Sequence, residues 1–287
     1  IKSLFANNEQ GFFYDPNDLT TLYQDAAGTT PVTAVGQPVG LMLDKSKVLV
    51  LGAELNANTT FDTLTGWNVG LVSSAVIENS EVKATFGGQL IETANNWFSL
   101  IGLYELGKIY KVSFDATYIS GGDLQAGFGY GTGITVYGSH NAGIKTRYTF
   151  TSGGIYSTSS GLLAFGATTA GSVWKIDNVS VKEILGNHAY QTTSASRPIL
   201  RQNATTGAYY LEFDGSDDFL QTANIDFTAT DKMSLFAGVR KLRDTVAESI
   251  LELGATPSSG LGTFWLNTNA LAYGDIWLAI AQGVANR

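Results

Sequence analysis

The chain has 287 residues, 44% hydrophobic and 15% charged, which is enough apolar material for the core of one large or two medium domains. Its 17 Lys and Arg against 25 Asp and Glu give a net charge of −8, which excludes the basic surface of a duplex nucleic-acid binder. The absence of cysteine excludes disulfides, thiolate nucleophiles and cysteine zinc sites.

The N-terminal region contains one segment with a helical pattern. Asp15 and Pro16 can cap and start a helix, and Leu19, Leu22 and Tyr23 follow at the i, i+3, i+4 spacing of one helical face. A turn-rich stretch of glycine, threonine and proline ends the segment. The sequence therefore predicts one short N-terminal helix.

From about residue 50 the hydrophobic period is two. Tyr110, Val112, Phe114, Ala116 and Tyr118 alternate with polar residues, which predicts a half-buried antiparallel strand. Glycine-rich turns separate it from similar segments. Further strands are predicted at residues 124–130, 134–137, 145–150, 162–165, 173–184, 209–213 and 233–239.

The segment 173–184 changes phase in its middle. Trp174 and Ile176 share one parity, whereas Val179 and Val181 share the other. A β-bulge near Asp177 would bring all four onto one face. Many strands at this spacing, with few helices, predict an all-β fold of stacked antiparallel sheets.

No apolar run reaches the roughly 18 residues that a membrane-spanning helix needs, and no signal-peptide pattern opens the chain. The sequence begins at Ile1 rather than Met. We therefore expect these residues to be an interior portion of a longer polypeptide, and we expect no membrane span.

Two segments resemble the ends of carbohydrate-binding modules of the family 4/9 type. They are LGAELNANTTFDTLTGW at 51–67 and WKIDNVSVKE at 174–183. In that family the opening segment and the closing strand lie side by side in a jelly roll, and residues 107–122 fit its middle strands. The resemblance implies a jelly-roll β-sandwich over residues 47–185.

Residues 12–46, 186–200 and 209–222 are similar to concanavalin-like (laminin-G-like) sandwiches in phage and prophage proteins. In those proteins a "DKSGNGNHA"-like stretch is continuous, whereas here its two halves are separated by about 140 residues. We therefore expect two jelly-roll-type sandwiches, one inserted in a loop of the other. Residues 1–46 and 186–287 would form the discontinuous host, truncated or divergent at its C-terminal end. The alternative is two domains in tandem with an N-terminal arm.

The second resemblance implies a bacteriophage virion appendage, such as a tail-fibre, tail-tip or capsid-decoration protein used for host adhesion. Such a protein assembles in the bacterial host cytoplasm and works on the surface of the extracellular particle. Its expected partners are other virion proteins, further copies of itself in a homo-oligomer, and bacterial surface polysaccharide. Two alternatives remain open: an accessory carbohydrate-binding module of a secreted carbohydrate-active enzyme, and a concanavalin-like glycosidase or lyase.

Catalytic groups are sparse in the sequence, which predicts a non-enzymatic protein. No G-x-S-x-G motif is present, and His140 and His188 are the two histidines. His140 is interpreted as a polar loop residue and His188 as a structural turn residue. The densest acidic group, Asp214, Asp217 and Asp218, does not have EF-hand spacing and is interpreted as a turn after a strand.

Modules of the family 4/9 type often hold one structural calcium between the opening segment and the closing strand. The resemblance places its ligands at Glu54 and Asp177, and carboxylate oxygens suit this cation. No other cofactor is expected.

Glycan binding in such modules uses aromatic side chains that stack on sugar rings beside polar hydrogen-bonding groups. The candidates lie in or near polar, glycine-rich stretches, and the alternative for each is a core or inter-subunit aromatic. They are Trp97, Tyr104, Tyr130 and Tyr137.

Overall fold

The computed structural model describes residues 2–7, 9–69, 72–87, 98–101, 108–128, 135–137, 143–153, 162–227, 232–240, 249–253, 264–267 and 276–284. Two compact units divide the chain, Ile1–Ala223 and Asn224–Arg287. The fold is all-β, as expected from the sequence. Within the described residues the helices are single 3-10 turns at Lys2–Phe5, Leu19–Thr21 and Ser194–Ser196, and none of them is long enough to cross a membrane.

The described strands of the first unit are short, apart from two of twelve residues. They are β1 (Leu22–Tyr23), β2 (Leu41–Met42), β3 (Leu51–Glu54), β4 (Trp67–Asn68), β5 (Ser74–Glu78), β6 (Glu81–Thr85), β7 (Phe98–Ile101), β8 (Ile109–Ser120), β9 (Leu124–Phe128), β10 (Thr135–Tyr137), β11 (Lys145–Gly153), β12 (Leu162–Ala167), β13 (Val173–Ile184), β14 (Ala189–Tyr190), β15 (Ile199–Gln202) and β16 (Tyr209–Glu212).

Antiparallel pairs make up the described part of the second unit. Its strands are β17 (Lys232–Arg240), β18 (Ser249–Leu253), β19 (Phe264–Asn267) and β20 (Ile276–Val284). β17 pairs with β20 over nine residues, and β18 pairs with β19.

Two antiparallel sheets form a sandwich between residues 51 and 184. The six-stranded sheet has the order β11-β8-β13-β6-β5, with β3 also paired to β13. The five-stranded sheet has the order β10-β9-β12-β7-β4. Their facing sides share one core, in which the rings of Phe114 and Phe165, one from each sheet, meet edge to face at 5.0 Å.

Strand β8 shows how the sequence pattern produces this core. Val112, Phe114 and Ala116 are buried, whereas Lys111 is exposed and Ser113 and Asp115 are half-buried. Successive side chains of a strand point to opposite faces, so a period of two places these three apolar residues against the other sheet. The predicted half-buried antiparallel strand is therefore confirmed.

Strand β13 contains the predicted bulge. Its register with β8 shifts between Asp177 and Ser180, and Asn178 has a φ of 50°, in the left-handed region. The extra residue at the bulge reverses the face to which each following side chain points. Val179 and Val181 therefore join the core in which Trp174 and Ile176 already lie.

The helical pattern near the N-terminus gives a shorter helix than its spacing predicts. A 3-10 turn covers Leu19–Thr21, and no side-chain hydrogen bond caps it. Leu22 and Tyr23 leave the helix and pair with Met42 and Leu41 of β2. Sheet pairing and burial of Leu22 therefore determine the conformation here, because one helical turn has little stability of its own.

Segments before and after the sandwich pack on each other. The strands β1, β2 and β14 form one sheet, and Leu22, Val32, Val39, Met42 and Leu200 form a second core. A third cluster joins Leu41 and Leu43 to Ile109 and Ile184 of the sandwich, which explains why the first unit is compact as a whole. Such packing is compatible with insertion of the sandwich into a domain formed by the flanking segments. The insertion itself, and the assignment of residues 224–287 to that domain, stay predictions.

The core position of Phe114 predicts a large effect of truncation. Phe114→Ala should lower the free energy of unfolding by about 3–5 kcal/mol, because it removes an aromatic ring from a closed core. Urea denaturation followed by tryptophan fluorescence measures this. The matched variant Lys111→Ala, on the opposite face of β8, should change it by less than about 0.5 kcal/mol. Equal losses in the two variants would contradict the assignment of the faces.

Candidate functional site

The outer face of the five-stranded sheet has small side chains at its centre. Asn68 of β4, Ser99 of β7, Ala164 of β12 and Gly127 of β9 lie in one register row across four strands. Gln125, two residues before Gly127, lies on the same face. We call these five residues the small-residue floor. Short side chains leave the pleated backbone open to close approach by another group.

Although it faces away from the core, the floor is buried except at Asn68, which is half-buried. Ser99 is 0%, Ala164 1% and Gln125 4% exposed, and none of them belongs to the core cluster formed by the alternate residues. Among the described residues, the Ser99 hydroxyl has no hydrogen-bond partner. A buried hydroxyl without a partner is costly, so it is a group that a ligand could satisfy.

The chemistry of the floor is neutral. Its polar groups are one hydroxyl and two carboxamides, and none of its five residues carries a charge. Hydroxyl and amide groups can both donate and accept hydrogen bonds, which is what a hydroxyl-rich neutral ligand requires. The sequence pattern did not predict a site at these residues. The signal was present in β12, where small residues alternate with Leu163 and Phe165.

The predicted aromatic residues flank the strands of the floor along the chain. Trp97 directly precedes β7, and Tyr104 and Tyr130 follow β7 and β9 within a few residues; all three lie outside the described residues. Tyr137 is the last residue of β10, where its backbone is in register with Leu124. Their role in glycan binding stays a prediction.

The outer face of the six-stranded sheet is charged and largely self-paired. The Lys145 ammonium lies 2.7 Å from a carboxylate oxygen of Glu81 and 2.8 Å from one of Asp177. Hydrogen bonds to Asp177 and then to Glu81 raise the pKa of Lys145 far above its ordinary value. Arg147 lies 3.1 Å from Asp115.

The two carboxylates expected to bind calcium have different partners in the protein. The backbone of Glu54 is in register with Lys182 on β13, five residues beyond Asp177. Glu54 accepts hydrogen bonds from the Val181 amide at 2.8 Å and the Ser180 hydroxyl at 2.6 Å. Asp177 accepts from Lys145. The calcium site expected at these two residues stays a prediction.

The acidic stretch after β16 is a turn, as the sequence indicated. The Asp214 carboxylate accepts hydrogen bonds from the backbone amides of Ser216 and Asp217, at 2.8 Å and 3.3 Å. The carboxylates of Asp214, Asp217 and Asp218 lie within 4.8 Å of one another. Burial, followed by the charges of its two neighbours, raises the pKa of Asp218.

A buried carboxylate joins three segments of the first unit. Asp44 accepts hydrogen bonds from the backbone amides of Phe13 at 2.8 Å, Ser46 at 2.8 Å and Asn187 at 2.7 Å. The Ser46 hydroxyl donates a fourth, at 2.7 Å. Four donors compensate the cost of burying this charge, so the carboxylate has a structural role here.

His188 completes this junction and has both ring nitrogens bonded. Its Nδ1 accepts from the Asp44 amide at 2.9 Å, so Nε2 carries the proton and donates to the Ile184 carbonyl at 2.8 Å. Burial lowers the pKa of His188. Gly186 has a φ of +148°, and a Cβ there would lie 3.0 Å from the Asp44 carboxylate. The structural role expected for His188 is confirmed; His140 lies outside the described residues.

Comparison with known proteins found similarity among solved structures. No protein-family model matches the chain, and no curated protein matches it. A family 4 carbohydrate-binding module is 20% identical, over 44% of this chain and 97% of that one, with a TM-score of 0.32. The second N-terminal cellulose-binding domain of Cellulomonas fimi β-1,4-glucanase C is 18% identical, over 47% and 97%, with a TM-score of 0.35. A tandem of two family 22 modules from Paenibacillus barcinonensis is 13% identical, over 82% and 85%, with a TM-score of 0.37.

The buried neutral histidine predicts a pH dependence of stability. An unfolded histidine binds a proton below about pH 6.5, and the lowered pKa of His188 resists this in the folded state. The free energy of unfolding should therefore fall as the pH drops below about 6.5, by at most about 1.4 kcal/mol per pH unit. Denaturation curves between pH 7.5 and 5.5 measure the slope. His188→Gln should reduce the slope of the free energy of unfolding against pH, whereas His140→Gln should leave the slope unchanged. The same slope in wild type and in His188→Gln would contradict this prediction.

The hydrogen bonds of Glu54 predict a structural rather than metal-binding role. Glu54→Ala should lower the free energy of unfolding by about 1 kcal/mol, because it leaves the Val181 amide without its acceptor. Glu9→Ala, which removes an exposed carboxylate that accepts hydrogen bonds from the backbone amide and the side chain of Asn7, is the control. Thermal unfolding with calcium or with a chelator should give the same midpoint for wild type. A midpoint that rises with calcium in wild type but not in Glu54→Ala would overturn this role.

Proposed function

We propose that this chain is a non-catalytic glycan-binding protein whose sandwich holds a polysaccharide on the small-residue floor. The observation that carries the proposal is the Ser99 hydroxyl, which is buried in the uncharged floor and has no partner in the part of the chain that the structure describes. A sugar hydroxyl can both donate to and accept from it.

The chemistry of the floor favours a neutral polysaccharide. Its hydroxyl and carboxamides match sugar hydroxyls, and none of its residues supplies a counter-charge for an acidic ligand. Binding by such groups is weakly dependent on salt, because screening acts on charges.

The placement of carboxylates supports a binding rather than a hydrolytic role. Glycoside hydrolysis uses two carboxyl groups about 5–10 Å apart across the bound sugar. Among the described residues, the floor contains no carboxylate. Asp115 and Asp177, on the other sheet, are paired with Arg147 and Lys145.

Support also comes from the sequence resemblance and its geometry. The opening segment (51–67) and the closing strand (174–183) resemble the ends of a carbohydrate-binding module. They lie side by side here, since β3 pairs with β13. A cellulose-binding domain and a xylan-binding domain are among the similar structures, so cellulose and xylan are suitable first ligands.

Two biological settings are compatible with this function. As an accessory module of a secreted carbohydrate-active enzyme, the chain needs only the sandwich and its floor. As a phage tail-fibre or other virion appendage, it would also need the second domain, formed by the segments around the sandwich, to assemble into a homo-oligomer. The resemblance of residues 12–46 and 186–222 to phage proteins, and the packing of these segments on each other, support this setting. We place the accessory module first, because it requires fewer parts. Mass spectrometry of purified particles and of culture supernatants would separate the settings: detection in particles alone would favour the virion.

Ser99→Ala provides a direct test of the floor. Removing an unsatisfied hydroxyl should leave the free energy of unfolding unchanged or higher, while binding to soluble xylan or a cellulose oligosaccharide weakens about fivefold to tenfold. Isothermal titration calorimetry measures binding, and urea denaturation measures stability. Ser74→Ala, on the outer face of the other sheet, is the control and should bind as wild type does. Unchanged binding in Ser99→Ala would rule out the floor as the site.

The aromatic candidates are tested in the same assay. Trp97→Ala and Tyr130→Ala should each weaken binding about tenfold, since each removes a ring that can stack on a sugar. Tyr210→Ala removes an exposed tyrosine of β16 and should have no effect. If the three variants bind equally well, the assignment of these aromatic residues is wrong.

A further inference from the structure

Two lysines face each other on the charged face of the six-stranded sheet. Lys111 of β8 and Lys182 of β13 are directly opposite in the antiparallel register. Directly opposed residues lie on the same face with Cβ atoms about 5 Å apart, and like charges in this position destabilise a sheet. We call these residues the lysine pair.

Every other described cation on this face has a carboxylate beside it. Lys83 lies 3.2 Å from Glu78, and Lys175 lies 3.5 Å from Glu81. Lys145 and Arg147 are paired as described above. Within the described residues, neither member of the lysine pair has an ion pair or a side-chain hydrogen bond.

The nearest carboxylate in register is already in use. Glu54 of β3 stands opposite Lys182, but its oxygens accept from the Ser180 hydroxyl and from the Val181 and Asn56 amides. It is not within 4.0 Å of the Lys182 ammonium. The sheet therefore leaves two adjacent positive charges without a counter-charge of their own.

Hydroxyl groups surround the lysine pair. Thr151 of β11 is in register with Lys111, and its hydroxyl lies 3.5 Å from that of Tyr23. The next row of the sheet places Ser113 between Ser180 and Thr149. Cations bordered by hydroxyls suit an anionic group carried on a sugar, since the hydroxyls can bond the ring substituents.

We propose that the lysine pair binds the anionic group of an acidic polysaccharide. One carboxylate or sulfate has enough oxygens to accept a charge-assisted hydrogen bond from each ammonium. The site is distinct from the small-residue floor, because it lies on the opposite sheet and has opposite chemistry.

The test compares two charged polysaccharides with a neutral one. Affinity electrophoresis of the whole chain through gels containing polygalacturonate, dextran sulfate or xylan separates the carboxylate, sulfate and neutral arms. Wild type should be retarded by at least one charged polymer, and raising the salt from 50 to 500 mM should weaken this binding at least about tenfold. Retardation by xylan should not depend on salt.

Variants locate the site. Lys111→Ala and Lys182→Ala should each weaken binding to the charged polymer about tenfold, since each removes one charge-assisted hydrogen bond. Lys83→Ala changes the net charge equally and should bind as wild type does. Urea denaturation should show that all three variants are folded.

The outcomes separate this proposal from the proposed function. Loss of charged-polymer binding in the two variants, with xylan binding intact, supports the lysine pair. Equal loss in Lys83→Ala, or no retardation of wild type by either charged polymer, overturns it. Failure of xylan binding alone counts against the floor and leaves the lysine pair standing.

Discussion

The buried Asp44 carboxylate is the interaction on which the arrangement of the first unit depends. An ionised group out of water is tolerated only when donors surround it, and here the donors come from three separate parts of the chain. Residues 13, 44–46 and 187 must therefore meet before the charge can be buried. The sandwich between residues 51 and 184 has its own core, and the segments at its two ends meet at this carboxylate.

A single strand, β13, links that junction to the six-stranded sheet of the sandwich. One edge pairs with β8 along its length, and the other pairs with β6 before the bulge and with β3 after it. The bulge places Asn178 between these two partners and keeps the apolar side chains inward on both sides of it. As a result the outer face of the sheet carries polar residues without interruption, from Lys175 to Lys182.

Sequence patterns were sufficient to predict which side chains are buried wherever one face of a strand is exposed to solvent and the other packs in the core. The alternation in β8 and the phase change in β13 predicted their burial, because a period of two maps directly onto the two faces of a sheet. They were insufficient for the five-stranded sheet, where Ala164 and Ser99 are as buried as the core residues beside them. Small residues carry a weak hydropathy signal, so the floor was visible only after the register was known. The helical spacing near Leu19 predicted too long a helix, because strand pairing outweighed local propensity.

The β3–β13 pair has a consequence for how such a chain can change over time. Leu51 and Ile184 are in register, so the polypeptide enters and leaves the sandwich at neighbouring strands, about 5 Å apart. The sandwich therefore keeps the residues that precede and follow it close together. It can be exchanged between genes as a cassette, or replaced by a tight turn, while the segments around Asp44 and His188 keep their own geometry.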